Sequence, residues 1–259
     1  MGKDYCEQVS FPPIRKATVD LLSVAVHKHM IHGMIEVDVT DCRSRFRAMR
    51  TQGKEIPSLT SYIIYCCAKV VSKDKMLHAY RTLGNRLVLF DDVDVSLPIE
   101  RSVNGQLEVV PSIVRAANSK TVGEISREIG QSRQLPMQGN EMLRGMRLFL
   151  LIPGVLRRLL FRLMGRMPRS LKDKFGTVMV TSVGMFGHGA GWGFPIATHT
   201  LNIAIGSIVK RLELVGGGVK QREFLCLTVS FDHDIVDGAP AARFIYRLKR
   251  MVERCEGLE

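Results

Sequence analysis

Between Ile14 and His32, just after Pro12 and Pro13, apolar residues recur at helical spacing (Ala17, Leu21, Leu22, Val24, Ala25). This predicts an amphipathic helix with Arg15 in its first turn. From Met34 to Thr40 the pattern changes to strict alternation, the mark of a half-buried strand. Asp41 then offers an N-cap for a helix toward Arg50, and Ser58 or Thr60 caps another from about Leu59 to Ser72. Short β-like runs follow at 86–90, 93–99 and 107–114, then a helix from Thr121 to about Arg133. Further strands are predicted at 177–183, 201–208 and 221–231, with a turn at Gly216-Gly217-Gly218 and a closing helix from about Pro240 to Glu256. Strands and helices are interleaved and no repeat or low-complexity tract interrupts them, so the expectation is an α/β fold forming a single domain over residues 1–259.

One stretch stands apart. Across a basic amphipathic segment at about 141–174, Arg144, Arg147, Arg157, Arg158, Arg162, Arg166, Arg169, Lys172 and Lys174 face Asp173 and, at its start, Glu141. On a helical wheel Arg158, Arg162 and Arg166 share one face, and Leu156, Leu160, Leu163, Met164 and Met167 the opposite one. The default expectation is a helix whose apolar face packs on the domain. The second is an interfacial helix making peripheral membrane contact, which the run Leu148-Phe-Leu-Leu-Ile152 supports. The third is a rim that attracts phosphate.

Charge sharpens this picture. The chain carries 37 Lys and Arg against 25 Asp and Glu, a formal net charge of +12, which points to an anionic partner. Nucleic acid is the weakest candidate, because none of its recognition motifs is present. The six cysteines form no CxxC pair and no signal peptide precedes them, so they read as reduced thiols of a cytoplasmic protein. The longest uncharged apolar stretch, Leu148 to Leu156, is too short to span a membrane.

The candidate chemistry lies in Ser230-Phe-Asp-His-Asp-Ile-Val-Asp-Gly238. A predicted strand stops at His233, and Gly238 stands where a sharp turn would open the next helix. An imidazole held there can take a proton from a thiol or hydroxyl near neutral pH. The cluster His27-Lys-His-Met-Ile-His32 has no nearby cysteine or carboxylate at a metal-ligand spacing, so no metal is expected and a helix-end or channel-lining role is preferred.

The run from Ser230 to Phe244 resembles the signature of the dihydrolipoyl acyltransferase catalytic domain of the 2-oxo acid dehydrogenase complexes, a family with chloramphenicol acetyltransferase as a distant relative. Gly176-Thr-Val-Met-Val-Thr-Ser-Val-Gly184 is similar to a second family stretch, and Ile14-Arg-Lys-Ala17, 93–99 and 109–116 fit its order. The resemblance is weakest between Gln134 and Lys174. It implies a mixed sheet with covering helices, the CoA-dependent acyltransferase fold, assembled as a homotrimer or multiple of trimers. It implies that an acyl group moves between coenzyme A and a thiol or hydroxyl acceptor, with acyl-CoA as substrate. His233 becomes the general base. Thr181, three residues before Gly184, becomes the oxyanion donor. Asp237 pairs with Arg15 on the first helix and, with Gly238, holds the turn. Ser182, facing away from Thr181 on its strand, His199 and Asp234 are candidates for the pocket wall.

The sequence departs from the family at Asp234, where an arginine is usual, and at Ile196-Ala-Thr-His-Thr200, which replaces a proline-rich loop. A lipoyl domain is not seen, so no covalently bound lipoate is expected. The acceptor is then a small molecule, a lipid or a lipoylated partner. The rival reading is a non-catalytic oligomeric core of the same fold that binds a partner or a membrane surface.

Overall fold

The computed structural model describes residues 6–11, 13–53, 55–103, 106–134, 149–183 and 189–258. Its helices are α1 (Pro13–Ala25), α2 (Thr40–Thr51), α3 (Leu59–Val71), α4 (Val122–Gln134), α5 (Gly154–Met164), α6 (Pro168–Phe175) and α7 (Gly238–Glu253). Its strands are β1 (Met30–Asp38), β2 (Tyr80–Arg81), β3 (Leu87–Val88), β4 (Val95–Val103), β5 (Gln106–Val114), β6 (Val178–Ser182), β7 (Leu201–Val215) and β8 (Gly218–Asp232). The main sheet runs β1-β8-β7-β6-β4-β5 and is mixed: β6 lies parallel to both β4 and β7, and the other pairs are antiparallel. Strands β2 and β3 form a separate small hairpin.

Local chemistry fixes several boundaries. The Ser58 hydroxyl accepts from the Ser61 backbone N–H at 3.0 Å and caps α3. Before α4, Glu124 accepts from the Thr121 N–H and Thr121 accepts from the Glu124 N–H, a capping box. The cap of α2 differs from expectation: Asp38, not Asp41, takes the Thr40 N–H at 2.9 Å. Helix α1 also stops earlier than its periodicity predicts, because Met30 to Asp38 pairs along β8, with Met30 opposite Asp232. Gly176 caps the C-terminus of α6 with φ +80, two residues before β6, and a Cβ there would lie 2.7 Å from the Asp94 carbonyl oxygen. Only glycine makes this helix-to-strand turn without strain.

The sheet has two unlike faces. Val180, Ile203, Leu227, Val229 and Phe231 point to the side covered by α3 and α7, and with Ile63, Ile64, Phe244 and Leu248 they form the core. The residues between them, Thr181, Asn202, Ala204, Thr228 and Ser230, face the other way. The six cysteines are free thiols, five of them buried. No helix of the described residues is long and apolar enough to cross a membrane.

The basic segment contradicts its default reading. It is not one helix: α5 ends at Met164 and α6 restarts at Pro168, and residues 141–148 lie outside the described residues. Nor does its leucine face pack on the domain. Arg157 turns inward, its Nε 2.6 Å from an Asp20 carboxylate oxygen on α1, and its Nη1 donates to the carbonyls of Leu150 and Ile152. This buried ion pair fixes the rotation of α5, so Val155, Leu159 and Leu163 point outward.

Candidate active site

His233 stands directly after β8. The antiparallel register that sets Met30 opposite Asp232 brings His29 to His233, and the His233 N–H donates to the His29 carbonyl at 2.7 Å. Its imidazole is 45% exposed, with Nδ1 3.7 Å from an Asp237 carboxylate oxygen. A base anchored through its backbone, with a free ring face, suits proton transfer to an incoming substrate.

The acidic residues on either side of His233 are each tied down. Asp232 accepts from the Lys28 ammonium at 2.8 Å and from the Asp234 N–H at 3.2 Å. Asp234 bonds His29 Nδ1 at 2.9 Å and lies 3.6 Å from Arg81. The hydrogen bond from His29 holds the Asp234 carboxyl below the usual carboxylate range. One strand pair deeper, His32 Nδ1 meets the Ser230 hydroxyl at 2.7 Å. Lys28, His29 and Arg81 are therefore the residues that position this turn; sequence reasoning gave the cluster holding Lys28 and His29 only a helix-end or channel-lining role and missed Arg81. The available signal was cross-strand: once β1 is antiparallel to β8, Lys28-His29 must sit beside Asp232-His233-Asp234.

The expected Arg15–Asp237 pair is not formed within the chain. Arg15 is exposed on α1, Asp237 is 84% exposed and faces His233, and no ion pair joins them among the described residues. The arginine–aspartate pair that α1 does make is Asp20 with Arg157. Gly238 opens α7 without a left-handed φ and with open space around the site of a Cβ, so this chain alone imposes no need for glycine there.

His199, expected at the pocket wall, is not among the residues lining the cavity beneath the His233 turn. It is buried, its Nε2 donates to the Phe175 carbonyl at 2.8 Å, and its Nδ1 accepts from the Thr198 hydroxyl at 2.7 Å. It latches the loop before β7 onto the end of α6. Burial pushes its pKa down to about 4, as it does for His78, whose Nδ1 meets the Thr177 hydroxyl at 3.0 Å. The unfolded rings titrate near 6.5, so below that pH the unfolded chain binds protons that the native chain refuses until about pH 4. Stability therefore falls with acidification across this window, by about 1.4 kcal/mol per pH unit for each ring. Thermal melts between these pH values check it, and His199→Gln should flatten the slope.

Thr181 sits half-buried on β6 opposite Ala204 of β7, which lies opposite Thr228 of β8. Two strand spacings and five residues along β8 separate it from His233, roughly 20 Å. One protomer does not bring this hydroxyl to its imidazole. Ser182 is exposed at the end of β6, and Gly184 lies outside the described residues. Asp234 does line a cavity, of about 520 Å³, between α1, α5 and α6. Leu21, Val24, Phe161 and Met164 give it an apolar wall, and Asp232 and Asp234 close it beneath the turn. His233 is not among its lining residues.

Residues 168–259 match the family of 2-oxoacid dehydrogenases acyltransferase (catalytic domain). The dihydrolipoyllysine-residue acetyltransferase component of the pyruvate dehydrogenase complex from Mycoplasma pneumoniae is 36% identical over 86 residues, 32% of this chain and 21% of that protein. The chain spans between 18% and 33% of the length of the four curated relatives it matches. A probable dihydrolipoamide acetyltransferase from Listeria monocytogenes superimposes with a TM-score of 0.69 at 22% identity, over 96% of this chain and 95% of that one. The cubic core of the pyruvate dehydrogenase multienzyme complex does so with 0.69 at 14%, over 98% and 95%. The mixed sheet with covering helices is thus the fold of these acyltransferase cores, and residues 168–259, with the His233 turn inside them, match the 2-oxoacid dehydrogenases acyltransferase catalytic-domain family.

Proposed function

We propose that the chain is a CoA-dependent acyltransferase whose active site is shared between adjacent subunits of a trimer, with His233 from one and Thr181 from the next. The observation that carries this reading is the His233 turn: a half-exposed imidazole at a strand end, its backbone held by His29 and its flanking carboxylates by Lys28, His29 and Arg81. The separation of roughly 20 Å inside one protomer supports a site completed by a neighbour.

In the forward direction an acceptor thiol or hydroxyl attacks the thioester carbon of acyl-CoA. His233 takes its proton as the new bond forms, and the Thr181 hydroxyl donates to the developing oxyanion. The intermediate collapses by breaking the carbon–sulfur bond to coenzyme A, and His233 returns the proton to the leaving thiolate. A small-molecule, lipid or lipoylated acceptor fits this chemistry equally. Exposed Leu212, Leu214 and Val219 on the β7–β8 hairpin supply apolar surface for assembly.

Release of free coenzyme A thiol from short to long acyl-CoA donors, with dihydrolipoamide or a simple alcohol as acceptor, tests the reading. Turnover is expected. Its absence with every pair, together with no coenzyme A binding, would make the chain a non-catalytic core. Thr181→Val should lower kcat by roughly 10²- to 10³-fold, with KM little changed, and Thr181→Ser should restore most of it.

A further inference from the structure

We propose that α5 docks on an anionic membrane surface, lying in the interface with its leucines among the acyl chains and its arginines among the headgroups. Val155, Leu159 and Leu163, each four residues apart, are 74%, 47% and 45% exposed. Leu156 and Leu160 broaden this arc, and Leu151 and Met167 extend it at either end. The opposite side of the helix is already occupied, by Arg157 on Asp20 and by Phe161 and Met164 along the cavity, with Arg162 at the junction of the two sides. Turning the leucines inward would pull Arg157 off Asp20 and leave both charges buried alone. The outward arc is therefore a fixed feature of the folded chain.

Charge selects the occupant. Between residues 149 and 175 the sequence has one acidic residue, Asp173, against Arg157, Arg158, Arg162, Arg166, Arg169, Lys172 and Lys174. Arg157 is used by Asp20, and Lys172 lies near Asp92 and Asp94. Arg162, which borders the leucine arc on the helical wheel, and Arg166, just past the end of α5, also line the cavity and have no ion-pair partner among the described residues. A second copy seated on the same arc would set these arginines against their own counterparts. Anionic headgroups pair with them while the leucines enter the acyl layer, the arrangement of an interfacial amphipathic helix.

Co-sedimentation with vesicles of phosphatidylcholine containing one third phosphatidylglycerol, against phosphatidylcholine alone, tests the proposal on the whole chain. Binding is expected to the anionic vesicles only and to weaken at high salt. Leu159→Asp with Leu163→Asp should reduce it at least roughly tenfold. Both positions are exposed, so the melting temperature should hold. Arg162→Ala with Arg166→Ala, which leaves the leucines in place, should cost roughly fivefold per arginine. No binding to anionic vesicles, or binding that neither pair of substitutions weakens, would overturn the proposal. So would a leucine pair that leaves vesicle binding intact and instead changes the oligomeric state measured by light scattering, because the arc would then be an interface between copies.

Discussion

Replacing His233 by alanine is expected to lower kcat for coenzyme A release by roughly 10²- to 10⁴-fold, the usual contribution of a positioned general base. The ring is 45% exposed and its ion-pair neighbour is Asp237 at 3.7 Å, so the substitution should leave folding and the melting temperature nearly unchanged. Affinity for acyl-CoA should also change little, since the imidazole acts on the attacking group. Steady-state kinetics and direct coenzyme A binding separate these effects. Turnover that survives the substitution would remove His233 from the chemistry. Lost turnover together with lost coenzyme A binding would make it a binding residue.

Removing one partner of the Asp20–Arg157 pair is the second large effect. Asp20→Ala leaves a guanidinium buried at 8% exposure without its carboxylate, and breaking such a pair costs about 3–5 kcal/mol. The chain relieves this most cheaply by releasing α5, which packs mainly on α1. Amide exchange should therefore accelerate across 150–164 far more than in β7, β8 or α3. If the global transition shifts as well, Tm falls by about 10 °C. Replacing both residues with apolar ones, Asp20→Leu with Arg157→Met, should recover most of the loss, since the penalty comes from the unpaired charge. Equal destabilisation by the single and double variants would contradict that account.

The order of helices and strands was legible because the two periodicities differ and change at clear boundaries. The turn bearing His233 was legible because its motif is local in sequence. What the sequence did not show depended on partners distant along the chain. A helical reading from Ile14 to His32 gives no warning that Met30 will pair with Asp232. The same register hides the clamp of Lys28, His29 and Arg81, whose carboxylate partners lie about two hundred residues downstream for the first two. The wheel of the basic segment correctly showed an amphipathic helix but could not show which face turns inward. That choice is made by one aspartate on α1, so a single arginine is buried while the leucines stay outside. His199 looked like a pocket residue because its loop departs from the family pattern, and it is a structural latch. Arg15 and Asp237, paired by resemblance, stay apart within the chain.

A site divided between subunits is the central claim, and subunit mixing tests it most directly. Thr181→Val and His233→Ala are each expected to be nearly inactive alone. Mixed in equal amounts, unfolded and refolded together, they form some interfaces where a native Thr181 faces a native His233. Random assembly predicts a return of about a quarter of wild-type activity per site. A mixture no more active than the sum of its two components would contradict the shared site.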